Sequence, residues 1–553
     1  MKQLIILIFL FSTVVLNAQL RGIIVDSSSG EPLSYASVYL KNTRIGTFTN
    51  DDGVFKLPIK ETNDTLLIRY LGYEDKIISL NTDTFINIQM KQTIIHLSEV
   101  KITNYDEKYL ADIIHRCILK HSKFFKNTDC KSYVKLNTYQ KDTLLCESFE
   151  AFYNTHINAF WVNNNTFKNG NLLQLNSNNS FKFKTLDLFS FIIPNLKVYK
   201  KPTPKNNTNG TVYYSQKKTN DINYDNPINS YFASDIVRKY NLWAIMISDN
   251  ALNIRYINKL DTNISGYLIV DIDKSHFTKI SLNHFYTEAT PIESTNEKYK
   301  INDLLLKIDV YFQEIDKTSY PHLITTNFSF NYIEKASLGK QKIQIVSDQL
   351  LYDFGSTFTL PLPNYINQIN DYQSLSIIPI MPQLWNYEMI LMKNKTELRS
   401  IINMHKFNNA LSNYCVWHKN WRLDWDRVVL LKNETIENTK IRKHKIIRAN
   451  AFVLLDYYKT DNRTIVNSLS VFDYSTCKIP SWERTKEMKE IIEKYFLQIH
   501  SISNDLKTRL NTDESLTTST INKQYRKAKR ESKRAKKRFV KNQRRYFINL
   551  RKN

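Results

Sequence analysis

The sequence predicts a mainly β protein with α+β parts, in which antiparallel sheets are followed by a helical C-terminus. Near the N-terminus, short segments such as 37–41 and 86–90 alternate apolar and polar residues. This alternation is typical of strands with one buried face. Longer segments of the same kind occupy the middle of the chain, and the last part carries helical spacing. Three folded parts are therefore expected: an N-terminal β-sandwich, a central antiparallel-sheet domain, and a C-terminal β region followed by helices.

The block 20–102 consists of short predicted strands separated by turn residues. Ser-Ser-Ser-Gly stands at 27–30, Asp-Asp-Gly at 51–53 and Leu-Gly-Tyr at 71–73. Glycine supplies the positive φ that such turns need, and aspartate hydrogen-bonds to its own backbone. Strands that recur about every 8–12 residues between turns favour a sandwich over units in which strands and helices alternate.

This block resembles the carboxypeptidase regulatory-like domain, a small transthyretin-like β-sandwich common in Gram-negative envelope proteins. The resemblance rests on an ordered series of segments at 21–26, 29–33, 36–40, 46–57, 71–74 and 97–102. It implies that residues 19–102 fold as a domain of an envelope protein. It implies no peptidase activity, because such domains accompany carboxypeptidases and also outer-membrane transporters, and an appended fold does not confer chemistry.

The first 18 residues predict a secretory signal peptide. Lys2 precedes an apolar run over 4–16, and Ala18 is a small residue at the expected cleavage site. The run is shorter than the about 20 residues that span a bilayer comfortably, and no later run reaches about 18 apolar residues. The expectation is an exported chain without a transmembrane helix after cleavage, located in the periplasm or at the outer membrane.

A helix and then a large antiparallel sheet are predicted for residues 103–360. The helix is indicated by apolar residues at the spacing of one helical face: Leu110, Ile113, Ile114, Cys117 and Ile118. Segments 266–273, 303–312 and 323–330 have the alternation of long strands. The high density of Asn, Lys and Thr around 164–230 predicts long loops or disorder there.

A β region followed by a helix is predicted for residues 361–520. Segments 451–458 and 465–473 have the pattern of strands, and helical spacing runs through Tyr495 and Leu510. Trp421 and Trp425 precede these strands in a tryptophan-rich stretch.

This order resembles a family of secreted zinc-dependent proteases, in which a Trp-rich strand and a sheet precede a helix bearing H-E-x-x-H. His500, Asp505 and Arg509 stand where that family has its second histidine, acidic residue and arginine. Phe496 and Leu497 replace the first histidine and the general base. Zinc hydrolysis needs about three protein ligands and a base, so the resemblance implies a relative without this catalysis. If the similarity is chance, His500 is an ordinary helix residue.

No catalytic, metal-binding or cofactor-binding residue is predicted elsewhere. The chain contains no H-E-x-x-H and no G-x-S-x-G motif. Its five cysteines form no C-x-x-C pair, and Cys130 with Cys146 is the candidate disulfide of an exported chain. The protein is therefore expected not to be an enzyme and to need no cofactor.

The C-terminal tail 521–553 is strongly basic. It carries fifteen basic residues and one acidic residue, a net +14 within the +24 of the whole chain. A narrow, weakly apolar stripe, here called the seam, has residues alternately three and four positions apart, and this spacing predicts a helix. Its residues are Tyr525, Ala528, Ser532, Ala535, Phe539, Asn542 and Tyr546. The residues predicted to make an electrostatic contact are Lys529, Arg530, Lys533, Arg534, Lys536, Lys537, Arg538, Lys541, Arg544 and Arg545.

Three interpretations of this tail remain open. It is a solvated helix packed on its own domain, or a contact with an anionic envelope surface such as lipid head groups or lipopolysaccharide, or a nucleic-acid contact. Export disfavours nucleic acid. The sequence thus predicts a non-enzymatic envelope protein that acts in binding or structural support. The alternatives are a zinc-protease-related hydrolase and an accessory of an outer-membrane transporter, which would bring an envelope protein as partner.

Overall fold

The computed structural model describes most of the chain: residues 19–92, 102–174, 204–206, 212–214, 226–287, 298–360, 378–385, 414–431, 448–480 and 484–550. Gaps inside these ranges fall at 35, 41–45, 51, 59–64, 71–72, 81–84, 104, 125–126, 142–143, 159, 231, 249, 316–317, 338, 379–380, 382–383, 418, 460–463 and 512–515. The predicted signal peptide 1–18, the segment 97–101 and the last basic residues of the tail, Arg551 and Lys552, lie outside the described residues.

The N-terminal domain is a sandwich of two small sheets. Its strands are β1 (Gln19–Asp26), β2 (Ser37–Leu40), β3 (Gly46–Phe48), β4 (Val54–Pro58), β5 (Thr65–Arg69), β6 (Lys76–Ser79) and β7 (Phe85–Met90). One sheet has the order β4-β1-β7 and the other β3-β2-β5-β6. Both sheets contribute apolar residues, such as Ile24 and Ile68, to one shared core. Gly53 has a φ of +70° in the turn before β4, which confirms the turn predicted there.

One large antiparallel sheet forms the centre of the molecule. Its strands are β8 (Ile102–Thr103), β9 (Thr128–Gln140), β10 (Leu144–Asn158), β11 (Trp161–Gln174), β14 (Tyr240–Ser248), β15 (Ala251–Asn258), β16 (Ile264–Asp271), β17 (His276–Tyr286), β18 (Tyr299–Ile315), β19 (Thr318–Glu334) and β20 (Lys340–Tyr352). The strand order is β11-β10-β9-β20-β19-β18-β17-β16-β15-β14-β8. A small separate hairpin is formed by β12 (Pro204–Asn206) and β13 (Val212–Tyr214). The predicted antiparallel sheet is confirmed.

The prediction of loops around 164–230 is wrong for its first part. Residues 164–174 belong to β11, which pairs with β10 along its length. Lys168 and Asn169 in this strand are fully buried. The composition misleads here because polar side chains that find partners in the interior look the same in the sequence as solvated ones.

Two helices cover the inner face of the central sheet. They are α1 (Glu107–Phe124) and α2 (Ala233–Lys239). Leu110, Ile114 and Cys117 of α1 are buried in the same core as residues from the whole width of the sheet. The helix predicted from their spacing is confirmed.

The C-terminal part is a small sheet followed by a helix pair. The strands are β21 (Tyr414–Val416), β22 (Val429–Leu431), β23 (Arg448–Lys459) and β24 (Thr464–Pro480), and the helices are α3 (Lys486–Asn511) and α4 (Thr518–Leu550). Leu454 and Val471 face the core of the central sheet, whereas Leu455 and Phe472, one residue further on, face the helices. The small sheet therefore lies between the central sheet and the helix pair.

The N-terminal sandwich packs on the opposite face of the central sheet. Phe48 shares an aromatic cluster with Tyr133 and Phe152, while the next residues along these strands, Val134 and Tyr153, belong to the core of the inner face. The Ser37 hydroxyl donates to Gln313 Oε1 at 3.0 Å across this contact. The C-terminal sheet also reaches this cluster through Ile465 and meets the edge strand β11 through the Lys168–Asp456 ion pair, so it packs along the β11 side of the central sheet.

The predicted Cys130–Cys146 disulfide is wrong. All five cysteines are buried thiols without a disulfide. The two cysteines lie on the paired strands β9 and β10, but Cys130 is opposite Thr155. Nine residues then separate Cys146 from that position, or about 30 Å of strand, whereas a disulfide requires Cα atoms within about 7 Å of each other.

Candidate functional site

The basic helix predicted for the tail is α4, and its start is set by local hydrogen bonds. The Thr517 hydroxyl accepts from the Thr520 amide at 3.1 Å, and the Thr517 carbonyl accepts from the Ile521 amide at 3.0 Å. A threonine that bonds an otherwise unpaired amide of the first turn is a standard N-cap. Residues of high helix propensity follow without proline to the end of the helix.

The apolar seam of α4 is buried within the protein. Tyr525, Ala528, Ala535 and Phe539 are at most 6% exposed. The Phe539 ring stacks on Tyr495 of α3 with 4.6 Å between ring centroids. The Tyr525 hydroxyl donates to the Val453 carbonyl of β23 at 3.1 Å. The seam of α4 therefore packs on its own domain, as one of the three interpretations of the tail expected.

One seam position differs from the prediction. Asn542 is exposed, and Gln543 is buried in its place. An α-helix has 3.6 residues per turn, so a strict repeat of 3.5 drifts around the helix by about 20° per heptad. By the sixth turn this drift has brought the next residue onto the packed side.

The basic residues lie on the opposite side of α4. Those that are exposed and face away from the seam are Lys523, Arg526, Lys527, Arg530, Lys533, Arg534, Lys537, Arg538, Lys541, Arg544 and Arg545, and together they are called the basic face. At a rise of 1.5 Å per residue the basic face extends over roughly 33 Å. Eight of the ten predicted contact residues belong to it, and Lys523, Arg526 and Lys527 extend it toward the start of the helix.

The two remaining predicted residues, Lys529 and Lys536, lie beside the seam. Lys536 Nζ donates to Asn450 Oδ1 at 3.1 Å. Lys529 Nζ stands 5.3 Å from the centroid of the Tyr525 ring. Burial beside the seam lowers the pKa of Lys529, and the charges of Lys533 and Arg526 add to this effect. These two lysines contact the protein itself, which spacing along the sequence does not reveal.

The single acid of α4 points away from the basic face. Glu531 Oε2 lies 3.7 Å from the Arg509 guanidinium of α3. The basic face therefore carries no carboxylate of its own helix. Such a surface attracts phosphates and carboxylates, and its attraction is strongest at low ionic strength.

The positions that resemble the zinc-protease motif do not converge on a common point. Phe496 is fully buried and packs against Trp421 at a centroid distance of 4.7 Å, while Leu497 is 53% exposed. Asp505 is exposed, and Arg509 faces Glu531. Within the described part of the chain, no three His, Cys, Asp or Glu side chains are grouped so that they could hold a metal ion.

His500 is engaged in its own packing. Its ring stacks on Trp417 at a centroid distance of 3.5 Å. Asn504 Nδ2 lies 3.0 Å from Nε2, and Ser470 Oγ lies 3.1 Å from Nδ1. Since the amide nitrogen can only donate, Nε2 accepts and Nδ1 carries the proton that is donated to Ser470. Burial lowers the pKa of this imidazole, and in this tautomer it is not a base toward the buried Ser470 hydroxyl.

Comparison with known proteins assigns the first domain. Residues 20–102 match the family described as the CarboxypepD_reg-like domain. The N-terminal sandwich is a carboxypeptidase regulatory-like domain. The sequence resemblance is thereby confirmed for this part of the chain, and the family match ends before α1.

A curated relative shares a limited stretch with the chain. The TonB-dependent receptor P39 of Formosa agariphila is 29% identical over 114 residues, which cover 20% of this chain and 11% of the receptor. The chain thus matches only about a ninth of the receptor's length.

Solved structures give only distant similarity. A protein of unknown function from Bacteroides fragilis is 10% identical, covers 61% of this chain and 98% of its own, and has a TM-score of 0.11. A DUF1329 family protein from Desulfovibrio piger is 10% identical, covers 45% of this chain and 95% of its own, and has a TM-score of 0.19. At these TM-scores the similarity does not establish a shared fold.

No helix in the described ranges combines the length and the apolar character that a membrane-spanning helix needs.

Proposed function

We propose that this chain is an exported, non-enzymatic protein of the cell envelope that binds an anionic envelope surface through the basic face of α4. The partner chemistry is phosphate, presented by lipid head groups or by lipopolysaccharide. The observation that supports this most directly is the basic face itself: exposed cations along roughly 33 Å of helix with the single acid turned away.

The energetics of such a contact are sufficient for reversible binding. A Lys or Arg close to an anionic membrane surface contributes about 1 kcal/mol. A flat surface meets only one side of a helix, so about half of the basic face acts at once, giving several kcal/mol. Because the residues are exposed, salt weakens the contact, with a Debye length of about 8 Å at physiological ionic strength.

The envelope setting is supported by the comparisons. The first domain belongs to the CarboxypepD_reg-like family, and part of the chain is similar to a TonB-dependent receptor. The predicted signal peptide agrees with export. In this proposal the N-terminal sandwich and central sheet act as scaffold, and the helix pair makes the surface contact.

The test uses charge neutralisation, because deletion of α4 would uncover the core formed with Tyr495 and Val453. The variant Arg530→Gln, Arg534→Gln, Lys537→Gln, Lys541→Gln removes four charges from the basic face. A matched control removes four exposed charges elsewhere: Lys108→Gln, Lys300→Gln, Lys335→Gln, Lys507→Gln. Equal folding of both variants is checked by circular dichroism.

Sedimentation with envelope fractions is the readout. The wild type and the control should sediment, about 500 mM salt should release them, and the basic-face variant should bind at least tenfold more weakly. Equal sedimentation of the two variants, or a wild type that stays soluble at low salt, would contradict the proposal.

The similarity to a TonB-dependent receptor also favours a second candidate function. The chain would then act as an accessory of an outer-membrane transporter. Co-purification with a barrel protein from the solubilised outer membrane supports this candidate, provided that the basic-face variant retains the partner. Loss of the partner in that variant would place the contact on α4 instead.

A further inference from the structure

The way α4 is packed restricts how it can meet a membrane. An amphipathic helix that lies in a bilayer interface buries its apolar side about 5–10 Å deep among the lipids. In α4 that side is already occupied, since Tyr525, Ala535 and Phe539 are in the core shared with α3 and β23. The exposed apolar residues of this helix for which burial is described are Val540 and Ile548. Most of its length therefore offers charges only.

The charges that lie farthest from the seam form one straight row. With 3.6 residues per turn, Lys523, Arg526, Arg530, Arg534, Lys537, Lys541 and Arg544 fall within about 40° of the direction opposite the seam. All of these residues are exposed. A row of this kind suits a flat lattice of phosphates, because every member can reach the same plane.

The packing of α4 fixes which parts of the protein lie behind its basic face. The C-terminal sheet lies between α4 and the core of the central sheet, and the N-terminal sandwich contacts the central sheet through Phe48 and Ser37. Phe48 does not belong to the core that holds α4, so the sandwich is attached at a part of the molecule other than the one that carries the basic face.

The charge of the sandwich agrees with this orientation. Lys56, Arg69, Lys76 and Lys91 are accompanied there by acids, and the half-buried ion pair Arg69–Asp75 and the exposed pair Lys91–Glu74 lie within it. α4 instead carries thirteen basic residues and one acidic residue, a net +12 and thus half of the chain's +24. The field of the molecule therefore turns α4 toward an anionic surface.

We infer that the basic face docks flat on a bilayer rich in anionic phospholipid, that α4 stays packed on its own domain without entering the lipid, and that the N-terminal sandwich is held on the side away from the bilayer. This inference rests on the proposed function and specifies its lipid and its geometry.

Lysine footprinting on vesicles tests the inference. The full chain is mixed with phosphatidylglycerol-containing vesicles or with pure phosphatidylcholine vesicles and briefly acetylated, and modification is quantified by mass spectrometry. On the anionic vesicles, Lys523, Lys537 and Lys541 should be protected at least fivefold. Lys91, which is 68% exposed in the sandwich, should react at the same rate on both kinds of vesicle.

The outcomes separate this inference from the proposed function. Absence of binding to phosphatidylglycerol vesicles and to lipopolysaccharide overturns both. Binding to lipopolysaccharide alone keeps the proposed function and overturns the assignment to phospholipid. Binding to phospholipid with equal protection of Lys91 and Lys537 overturns the orientation. Binding that persists at about 500 mM salt, where exposed charges are screened, overturns the non-inserted contact.

Discussion

At the scale of single residues, the ion pair Lys168–Asp456 joins two layers of the molecule. Lys168 Nζ lies 2.7 Å from Asp456 Oδ1, and neither side chain is exposed. Lys168 also donates to the Tyr457 carbonyl at 3.3 Å. Burial raises the pKa of Asp456, and the lysine charge opposes this rise. Desolvation of both ions offsets most of their attraction, so the pair specifies how the layers meet more than it stabilises them.

A double-mutant cycle tests this interpretation. Lys168→Met or Asp456→Leu alone should lower the free energy of unfolding by about 3 kcal/mol, because each leaves one buried ionisable group without its partner. The double variant should lie within about 1 kcal/mol of the wild type, since no buried charge remains. Chemical denaturation measures all four proteins. Additive losses in the double variant would show that the two residues act independently.

His322 is a half-buried residue whose titration should have a measurable effect on stability. It stacks parallel to Phe48 at 6.4 Å in the contact between the sandwich and the central sheet, and its Nδ1 is buried without a hydrogen-bond partner. Burial lowers its pKa to about 4, and the Arg69 charge contributes. Between pH 6.5 and 4 the unfolded chain therefore binds a proton that the folded protein does not, so stability falls as the pH falls.

Replacement of this imidazole should remove that pH dependence. Relative to pH 7, the wild type should lose about 2 kcal/mol more than His322→Gln by pH 4, since each unit of pKa shift corresponds to about 1.4 kcal/mol and the ring keeps some solvent contact. Urea unfolding at several pH values in this range gives the free energy of unfolding of both proteins as a function of pH. The carboxylates are the same in both proteins and affect the two curves equally. Parallel curves would place the His322 pKa near its ordinary value.

At the scale of elements, local spacing predicts the helices and fails for the edge strand β11. The apolar face of α1, α3 and α4 is set by residues three and four apart, and this pattern survives in the sequence whatever the helix packs against. β11 depends on distant partners: Asn169 accepts from the Trp385 indole at 2.8 Å, and Lys168 meets Asp456. Such contacts leave no local signal.

The candidate site divides along the same line. The charge and length of the basic face follow from the sequence alone. The contacts of Lys529 with Tyr525 and of Lys536 with Asn450 cannot be predicted from the sequence, because they depend on how α4 lies against β23. The buried state of the seam likewise depends on α3, and it decides whether the helix can enter a bilayer.

Two neighbouring residues of α4 test the packing of the seam. Phe539 is 4% exposed, and Val540 is 38% exposed. Phe539→Ala should lower the free energy of unfolding by about 3–5 kcal/mol, because it leaves a cavity beside Tyr495. Val540→Ala should change it by less than about 0.5 kcal/mol. The two variants are compared by their denaturant midpoints, provided that the free energy of unfolding depends on denaturant concentration with the same slope in both. Similar small effects of both substitutions would mean that α4 is not docked on its domain.

At the scale of the whole molecule, the contact between sandwich and central sheet decides whether the layers behave as one body. Phe48 of β3 lies in an aromatic cluster with Phe152, Tyr352 and Trp385, and it is 3% exposed. The Ser37–Gln313 hydrogen bond is buried beside it. A contact of this kind couples the unfolding of two domains, because separation of the layers would expose apolar surface on both of them.

Removal of the Phe48 ring should uncouple the sandwich from the rest of the molecule. In Phe48→Ala the cluster loses its link between the layers, so the contact should weaken by about 3 kcal/mol and calorimetry should resolve a separate transition for residues 19–92. The control is Phe85→Ala in the same domain, whose side chain is 58% exposed and whose loss should leave the wild-type profile unchanged. A wild type that already unfolds in two steps, with the first unaltered by Phe48→Ala, would mean that the sandwich is tethered rather than docked. The orientation inferred for the membrane-bound protein would then lose its structural basis, because a tethered sandwich has no fixed distance from α4.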